Sequence, residues 1–335
     1  MKFGIVTGPL LDDVASRLEK LGYDAVLFSD SQCKAPDVWA ALGAAAVQTS
    51  KVQLGPGATN MLTRDPSVTA SAAATLHHLT QGRAVLPIGR GDSAAHAIGE
   101  EPEKLAAFES KIAMLSTYLT GQAVQRGDTA SSIAWLPLAL AHGPIPLELV
   151  PSGPKVAEIA ARYADRISFA VGADPDYLAY FLRETREKVA ASGRDPDQVK
   201  YGAWVNVTLN EDRATALSAV RGTAAIWARF SLLRPDRRNL PEPLQNAQAL
   251  LDNYDMAAHG SANAEHAKAI PDELVDWFAI AGNENHVYNR LKQLREIGLD
   301  FLYVVPGELG FQDQVGSDSI EQIANAVLPK LRQLE

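Results

Sequence analysis

Short apolar runs alternate with amphipathic stretches along the whole chain. Runs rich in β-branched and aromatic residues predict strands, and apolar residues spaced three to four apart predict the helices that follow them. The predicted strands are residues 3–7, 25–28, 52–54, 84–88, 145–150, 166–171, 201–209 and 301–305. Strands that alternate with helices form a parallel sheet, and eight such units favour a closed barrel over an open sheet.

Two connections are too long for plain loops, at residues 121–143 and at about 231–282. The second contains Pro235, Pro241 and Pro243, followed by helical patterns. We interpret it as an insertion after the seventh strand, on the side where barrel enzymes build their sites. The predicted fold is therefore α/β, a single (β/α)8 TIM barrel over residues 1–335 with this insertion.

Composition narrows the classes of function. Hydrophobic residues make up 47% of the 335 residues, which is enough for a large core and excludes disorder as the main state. The net charge of −9 argues against nucleic-acid binding, and the single Cys excludes an internal disulfide. No apolar run reaches the ~18 residues of a membrane span, and the first one is interrupted by Gly8 and Pro9, unlike a signal peptide. We expect a cytoplasmic protein that acts on a small molecule.

Metal ligation is not expected. The seven His are scattered, and the adjacent pair His77 and His78 would point about 100° apart on a helix. The chain has none of the usual spacings of zinc or calcium ligands.

Two glycine-rich segments follow predicted strands. In the segment after the third strand, residues 55–60, Gly57 has no side chain to keep a flat ligand from the backbone, so Gly57→Val is expected to block such a ligand; a simple turn is the alternative. Residues 89–93 begin with dinucleotide-loop spacing, but Ala94 replaces the third Gly and the segment follows a fourth strand. A Rossmann-type site is therefore disfavoured.

Residues 152–155 combine features of an anion site. Ser152 or Gly153 caps a helix, Pro154 lies near its first position, and Lys155 adds a positive charge. The free amides and dipole of such a helix end attract phosphate. An ordinary capped helix with a solvated lysine is the alternative.

Other polar side chains are candidates for contact with substrate or cofactor. Asp92 and His96 follow the fourth strand and are the candidate proton donors; a surface or capping role for His96 is the alternative. Asn206 shares a strand face with Trp204, so both point to a ligand or both pack in the core. The insertion has a basic group that could meet an anionic tail or be a solvated loop: Arg234, Arg237 and Arg238.

Taken together, these segments resemble the luciferase-like monooxygenase superfamily, and within it the deazaflavin branch typified by methylenetetrahydromethanopterin reductase. The resemblance extends over nearly the whole chain. Its most specific segments are Gly55-Pro56-Gly57-Ala58-Thr59-Asn60, Thr63-Arg64-Asp65-Pro66, Gly82-Arg83-Ala84, Gly89-Arg90-Gly91-Asp92 and Ser152-Gly153-Pro154-Lys155.

The resemblance implies coenzyme F420 at the carboxyl ends of the strands. Asp30 would touch the ring or its linker, and a non-prolyl cis peptide at Gly57-Ala58 would buttress the ring. The other residues that it implies are Thr59 beside that peptide, Gly89, Arg90, Gly91 and Ser93 at the linker, Ser152, Gly153 and Lys155 at the phosphate, and Val171 at the end of the sixth strand.

Two positions depart from the branch. Its methanopterin reductases have an acid near the end of the first strand, where this chain has Val6 and Thr7, and sugar-oxidising relatives have a His where this chain has Ser31. We therefore predict neither the substrate of the methanopterin reductases nor that of the sugar-oxidising relatives for this chain. We predict an F420-dependent oxidoreductase that transfers a hydride to or from a small organic substrate, and a homodimer or higher oligomer. The alternatives are an FMN-dependent monooxygenase and a noncatalytic flavin-binding protein.

Overall fold

The computed structural model describes residues 1–8, 13–233, 240, 242–245, 248–307 and 314–334. Its strands are β1 (Lys2–Thr7), β2 (Ala25–Phe28), β3 (Gln53–Pro56), β4 (Thr59–Asn60), β5 (Leu86–Gly89), β6 (Val124–Arg126), β7 (Thr129–Ser131), β8 (Leu147–Leu149), β9 (Arg166–Phe169), β10 (Lys200–Leu209), β11 (Ala279–Gly282) and β12 (Phe301–Val305).

The helices lie between these strands and at the end of the chain. They are α1 (Val14–Lys20), α2 (Val38–Gln48), α3 (Pro66–Leu79), α4 (Asp92–Ala97), α5 (Leu105–Leu119), α6 (Leu136–Leu140), α7 (Pro154–Tyr163), α8 (Pro175–Ala191), α9 (Arg213–Leu232), α10 (Glu242–Gln245), α11 (Gln248–Asp252), α12 (Glu265–Lys268), α13 (Asp272–Phe278), α14 (Glu284–Glu296), α15 (Gln314–Gln322) and α16 (Leu328–Arg332). Pro196–Gln198 form a 3-10 turn, and Ile323–Val327 form a π turn between α15 and α16.

The main sheet is parallel and nearly closed. Its strands follow the order β3-β2-β1-β12-β10-β9-β8-β5-β4. The sheet closes where β3 lies beside the residues that lead into β5. Leu54 of β3 makes backbone hydrogen bonds there with Arg83 and Val85, at 3.0 and 2.9 Å. Because β4 continues the third strand, the sheet has the eight staves of the predicted barrel, which is confirmed.

The two long connections contain structure of their own. Residues 121–143 hold the antiparallel pair β6–β7 and the short helix α6. The predicted insertion holds α10 to α13 and β11, and β11 pairs with the carboxyl half of β10. The strand β11 was not predicted. Arg234, Arg237 and Arg238 lie outside the described residues. None of the described helices is both long and apolar enough to cross a bilayer.

A buried charge lies inside the barrel. The carboxylate of Glu148 in β8 accepts hydrogen bonds from Arg166 Nε at 2.7 Å, Ser168 Oγ at 2.6 Å and Tyr303 OH at 3.1 Å. These donors come from β9 and from the more distant β12, so their side chains meet across the barrel interior. Trp204 Nε1 extends the network by donating to Ser168 Oγ at 2.8 Å. The side chain of Trp204 therefore points into the barrel, and the residues on its side of β10 face the interior.

We predict that Glu148→Ala lowers the free energy of unfolding by about 3–5 kcal/mol, because it leaves the guanidinium of Arg166 buried without its counter-charge. The matched control is Glu158→Ala, since Glu158 is half exposed and lies 3.5 Å from Lys188 in a surface pair. That change should cost less than about 0.5 kcal/mol. Urea unfolding of both variants measures the difference; equal, small losses would contradict the role of the network.

Candidate active site

The carboxyl ends of the barrel strands form one face, which we call the mouth. Parallel strands in a closed barrel bring the loops after them together there. The loops after β2, β4 and β5 are adjacent because β3 and β4 form one stave between β2 and β5. Most of the predicted site residues lie in these loops or in the ends of the strands beside them, so the fold brings them to one place.

Asp30 connects the loop after β2 with the segment after β3. Its side chain is only 6% exposed, and its two oxygens are both occupied. Oδ2 accepts hydrogen bonds from Thr59 Oγ1 at 2.7 Å and Arg64 Nη1 at 2.6 Å, and Oδ1 accepts from Gln32 Nε2 at 2.6 Å. A buried carboxylate needs such partners, so Asp30 holds the floor of the mouth in place.

The peptide bond between Gly57 and Ala58 is cis, as the resemblance implied. The expectation that a side chain at Gly57 would block a ligand was wrong, however. A Cβ at this residue would lie 2.8 Å from Cβ of Leu27 and 3.2 Å from Val6 Cγ1, which are core side chains. Glycine is required here because β1 and β2 pack against the backbone, and a valine would disturb this packing before it could block a ligand.

Gly89, at the end of β5, is the position where backbone faces open space. A Cβ there would meet no atom within 4 Å, although its neighbour in β4 is the fully buried Asn60. Asn60 Oδ1 accepts from the backbone of Leu62 and Thr63, whereas Asn60 Nδ2 is buried without a partner. The bare backbone and an unused donor therefore lie side by side.

The loop after β5 is held by its own side chains. Gly91 has φ of +82°, and a Cβ there would lie 2.6 Å from Cβ of Asn60, so a larger residue does not fit. Arg90 Nε donates to the carbonyl of Glu103 at 2.9 Å, and Ser93 Oγ lies 3.3 Å from Ser31 Oγ. Arg90 thus secures the following loop, and Ser93 contacts the loop after β2.

The two candidate proton donors have different surroundings. Arg229 Nη1 of α9 donates to Asp92 Oδ2 at 2.7 Å, and both side chains are largely buried. His96 is exposed on α4. Asp92 is therefore an ion-pair partner that ties α4 to α9, and the structure does not bring His96 into contact with it.

The segment after β8 forms the predicted helix start. Gly153 is the N-cap of α7 and Pro154 is its first residue, while Lys155 is exposed. The amides of Lys155 and Val156 lie in the first turn, where a helix offers no carbonyl partner. Val171, after β9, is buried.

Asn206 faces the barrel interior, because it lies two residues beyond Trp204 on the same strand. It is fully buried. Its Nδ2 lies 3.5 Å from the carbonyl of Phe278, and its Oδ1 has no hydrogen-bond partner. Near the mouth, Asn206 thus supplies an unused acceptor where Asn60 supplies an unused donor.

Sequence reasoning missed several polar residues of the insertion. The hydroxyl of Tyr254 lies 3.0 Å from His259 Nδ1, and the ring of His266 stacks on that of Tyr254 with centroids 4.1 Å apart. Burial, together with the charges of Lys34 and Arg229, lowers the pKa of His259 to about 3. No catalytic motif marks these residues, although Tyr254 and His259 are only five residues apart in sequence. Among the described residues, no group of three acidic, His or Cys side chains could hold a metal ion.

We predict that Gly57→Ala lowers the free energy of unfolding by about 1–3 kcal/mol, because the new methyl group overpacks the contact with Leu27. Gly89→Ala is the matched control and should change stability by less than about 0.5 kcal/mol, because its methyl group enters open space. Urea unfolding compares the two; a Gly57→Ala variant as stable as the wild type would contradict the packing argument.

The chain resembles several known proteins over most of its length. It is 29% identical to the 5,10-methylenetetrahydromethanopterin reductase of Archaeoglobus fulgidus, with 99% of this chain and 100% of that protein covered. It is also 29% identical to the F420-dependent glucose-6-phosphate dehydrogenase of Kineococcus radiotolerans, with 71% and 74% covered.

Solved structures share the fold. The coenzyme F420 dependent tetrahydromethanopterin reductase from Methanopyrus kandleri superposes with a TM-score of 0.75 at 22% identity, covering 98% of this chain and 99% of that one. An F420-dependent secondary alcohol dehydrogenase, in complex with an F420-acetone adduct, gives 0.73 at 19% identity and covers 99% of both chains. Both comparisons support the barrel.

The sequence profile of the luciferase-like monooxygenase family matches residues 11–300, which is most of the chain. The predicted resemblance is thereby confirmed at the level of the family. The reductase relatives confirm the likeness to its deazaflavin branch. This chain belongs to the luciferase-like monooxygenase family.

Proposed function

We propose that this protein is an F420-dependent oxidoreductase that transfers a hydride between the deazaflavin and a small organic substrate. The observation that carries the proposal is the open backbone at Gly89, next to the buried and unpartnered Nδ2 of Asn60. The names of the relatives, F420-dependent glucose-6-phosphate dehydrogenase among them, support the choice of cofactor.

The residues at the mouth fit a flat ring with polar edges. A ring can lie against Gly89 without meeting a side chain, and its edges can use the free Nδ2 of Asn60 and the free Oδ1 of Asn206. Gly57, Ala58 and Thr59 would support the ring from behind, with Asp30 holding Thr59 in place.

The tail of the cofactor would extend along the rim. Gly91 and Ser93 would line the linker next to Gly89, with Arg90 anchoring that loop through the carbonyl of Glu103. Ser152, Gly153 and Lys155 would hold the phosphate at the start of α7, where first-turn amides and the helix dipole favour an anion. Val171 would contribute an apolar contact at the end of the sixth stave.

The bound deazaflavin would supply the hydride chemistry, and the protein supplies position and electrostatics. The cis-peptide segment fixes the floor of the site, and the loops after β2 and β5 fix two of its walls. Asp92 pairs with Arg229, which orients the guanidinium at the mouth. Proton donation by Asp92 or His96 stays a prediction.

We also propose a homodimer in the cytoplasm, in which the whole chain acts as one barrel domain. Alanines of α2 divide between two faces: Ala41 and Ala45 pack on the barrel, whereas Ala44 is exposed beside Val47, which is 77% exposed. Val68 of α3, at 55%, is exposed as well. These small and apolar side chains suit close packing between two copies.

We predict that the purified protein binds F420 with a micromolar dissociation constant and FMN at least tenfold more weakly, measured by fluorescence titration. Gly89→Val should weaken F420 binding more than tenfold while leaving unfolding unchanged, because its side chain would occupy the ring space. Oxygen consumption with reduced FMN would instead favour a monooxygenase. F420 that binds but never reacts with any carbonyl or alcohol would favour a noncatalytic binding protein.

We predict that Lys155→Ala weakens F420 binding about three- to tenfold, because one exposed charge near the phosphate is lost. Lys292→Ala, at a partly exposed position of α14, is the control and should leave binding unchanged. The same titrations at 50 and 500 mM salt should show a smaller salt effect for Lys155→Ala than for wild type. An unchanged affinity would place the phosphate elsewhere.

A further inference from the structure

Side chains from three parts of the chain contact one another on the insertion side of the mouth: Asp92 of α4, Arg229 of α9, and Tyr254 and His259 of the insertion. From a fourth part, Lys34 after β2, a positive charge acts on His259. The segment around residues 260–262 packs directly on α9, since a Cβ at Gly222 would lie 2.3 Å from the carbonyl oxygen of Gly260. The insertion is therefore held closely against the helix that bears Arg229.

Contacts between these side chains form a continuous chain. Arg229 bonds to Asp92 and its guanidinium carbon lies 5.1 Å from the centre of the Tyr254 ring, an arrangement that favours cation–π attraction. Tyr254 in turn contacts His259 through its hydroxyl and His266 through its ring. The backbone amide of Asp255 donates to His266 Nδ1 at 3.2 Å, which fixes that ring.

The hydrogen bond between Tyr254 and His259 can run in either direction, and our proposal uses the one in which the hydroxyl donates. Burial raises the pKa of Tyr254, so its hydroxyl keeps its proton and can donate to Nδ1. A neutral imidazole whose Nδ1 accepts a hydrogen bond bears its proton on Nε2. In that arrangement the Nε2 proton makes no hydrogen bond within the described residues and is available to a ligand.

The charges around His259 are unequal. Positive charge comes from Lys34 and Arg229, and from His96 and His266 whenever these are protonated. Two described carboxylates lie near this group: Asp92 already pairs with Arg229, and Asp255 acts on His266. The charges that act on His259 itself are therefore positive, and a partly buried site screens them less than bulk water does.

We propose that His259, Arg229 and Lys34 form a substrate site that binds an anionic oxygen at the barrel mouth. The site is distinct from the segments assigned to the cofactor. Its ligand is an oxygen that bears negative charge in the bound state or gains it during the reaction.

This site names the substrate class of the proposed function, on which it rests. When a hydride adds to a carbonyl carbon, the π electron pair of the C=O bond moves to oxygen and gives an alkoxide, which takes a proton from water to become an alcohol. The hydride and its two electrons come from the reduced deazaflavin. Donors aimed at the developing charge stabilise such an alkoxide. A cationic substrate such as an iminium would be repelled.

Binding of three small probes tests the site directly. Protein labelled with 13C-histidine is titrated with acetate, acetamide and acetamidinium, and the Cε1 resonance of His259, assigned with a His259→Asn variant, is followed by NMR. We expect acetate to shift this resonance saturably and to bind at least tenfold more tightly than acetamide. Acetamidinium should cause no saturable shift. Equal binding of the three probes, or no response of His259 to acetate, would overturn the proposal.

Variants separate the site from general effects. Lys34→Met should weaken acetate binding about three- to tenfold, and Tyr254→Phe should do so as well because the imidazole proton is no longer fixed on Nε2. Lys51→Met is the matched control, since Lys51 is an exposed lysine that precedes β3 at the opposite end of the barrel. It should leave acetate binding unchanged. If Lys34→Met and Tyr254→Phe also leave it unchanged, the site is wrong.

The same experiment, run with and without F420, separates this proposal from the proposed function. Acetate binding at His259 without any F420 binding would support the anion site and contradict the proposed cofactor. F420 binding without an acetate response would support the cofactor and contradict the anion site. The resonance of His259 should also stay constant between pH 5 and 8, and a titration midpoint near 6.5 would contradict the surplus of positive charge.

Discussion

The buried carboxylate of Asp30 is the interaction on which the mouth of the barrel depends. It accepts hydrogen bonds from Thr59, Arg64 and Gln32 at 2.6–2.7 Å, and so joins the loop after β2 to the segment after β3. That segment contains the cis peptide and runs beside Gly89. Because a buried carboxylate without partners is costly, the three donors hold the loop after β2 against the segment that contains Thr59 and Arg64.

The rest of the site follows from the closed sheet. A barrel sends all of its strand ends to one face, so that residues far apart in sequence share a small space. The ion pair of Asp92 with Arg229 spans 137 residues and joins the fourth stave to the helix after the seventh. The insertion then adds Tyr254, which contacts Arg229, and His259, which contacts Tyr254. We infer that a rigid floor from the early strands and a polar wall from the later elements form the two halves of one site.

Much of this could be predicted from the sequence. Alternating apolar and amphipathic runs are local signals, so all eight staves were located to within a few residues, and the Gly153-Pro154 helix start was recognised. What the sequence could not show was pairing across the barrel. No local signal marks Glu148, because its partners lie 18 to 155 residues away. The packing reason for Gly57 is likewise not visible in the sequence, because Leu27 belongs to another strand.

Our proposal requires a deazaflavin ring against the bare backbone at the barrel mouth. A crystal structure of the protein soaked with F420 would show the position of this ring. We expect ring atoms in van der Waals contact with Gly89 and the Gly57-Ala58 peptide, and hydrogen bonds from the polar ring atoms to Asn60 and Asn206. Density for F420 elsewhere, or none at saturating concentration, would contradict it.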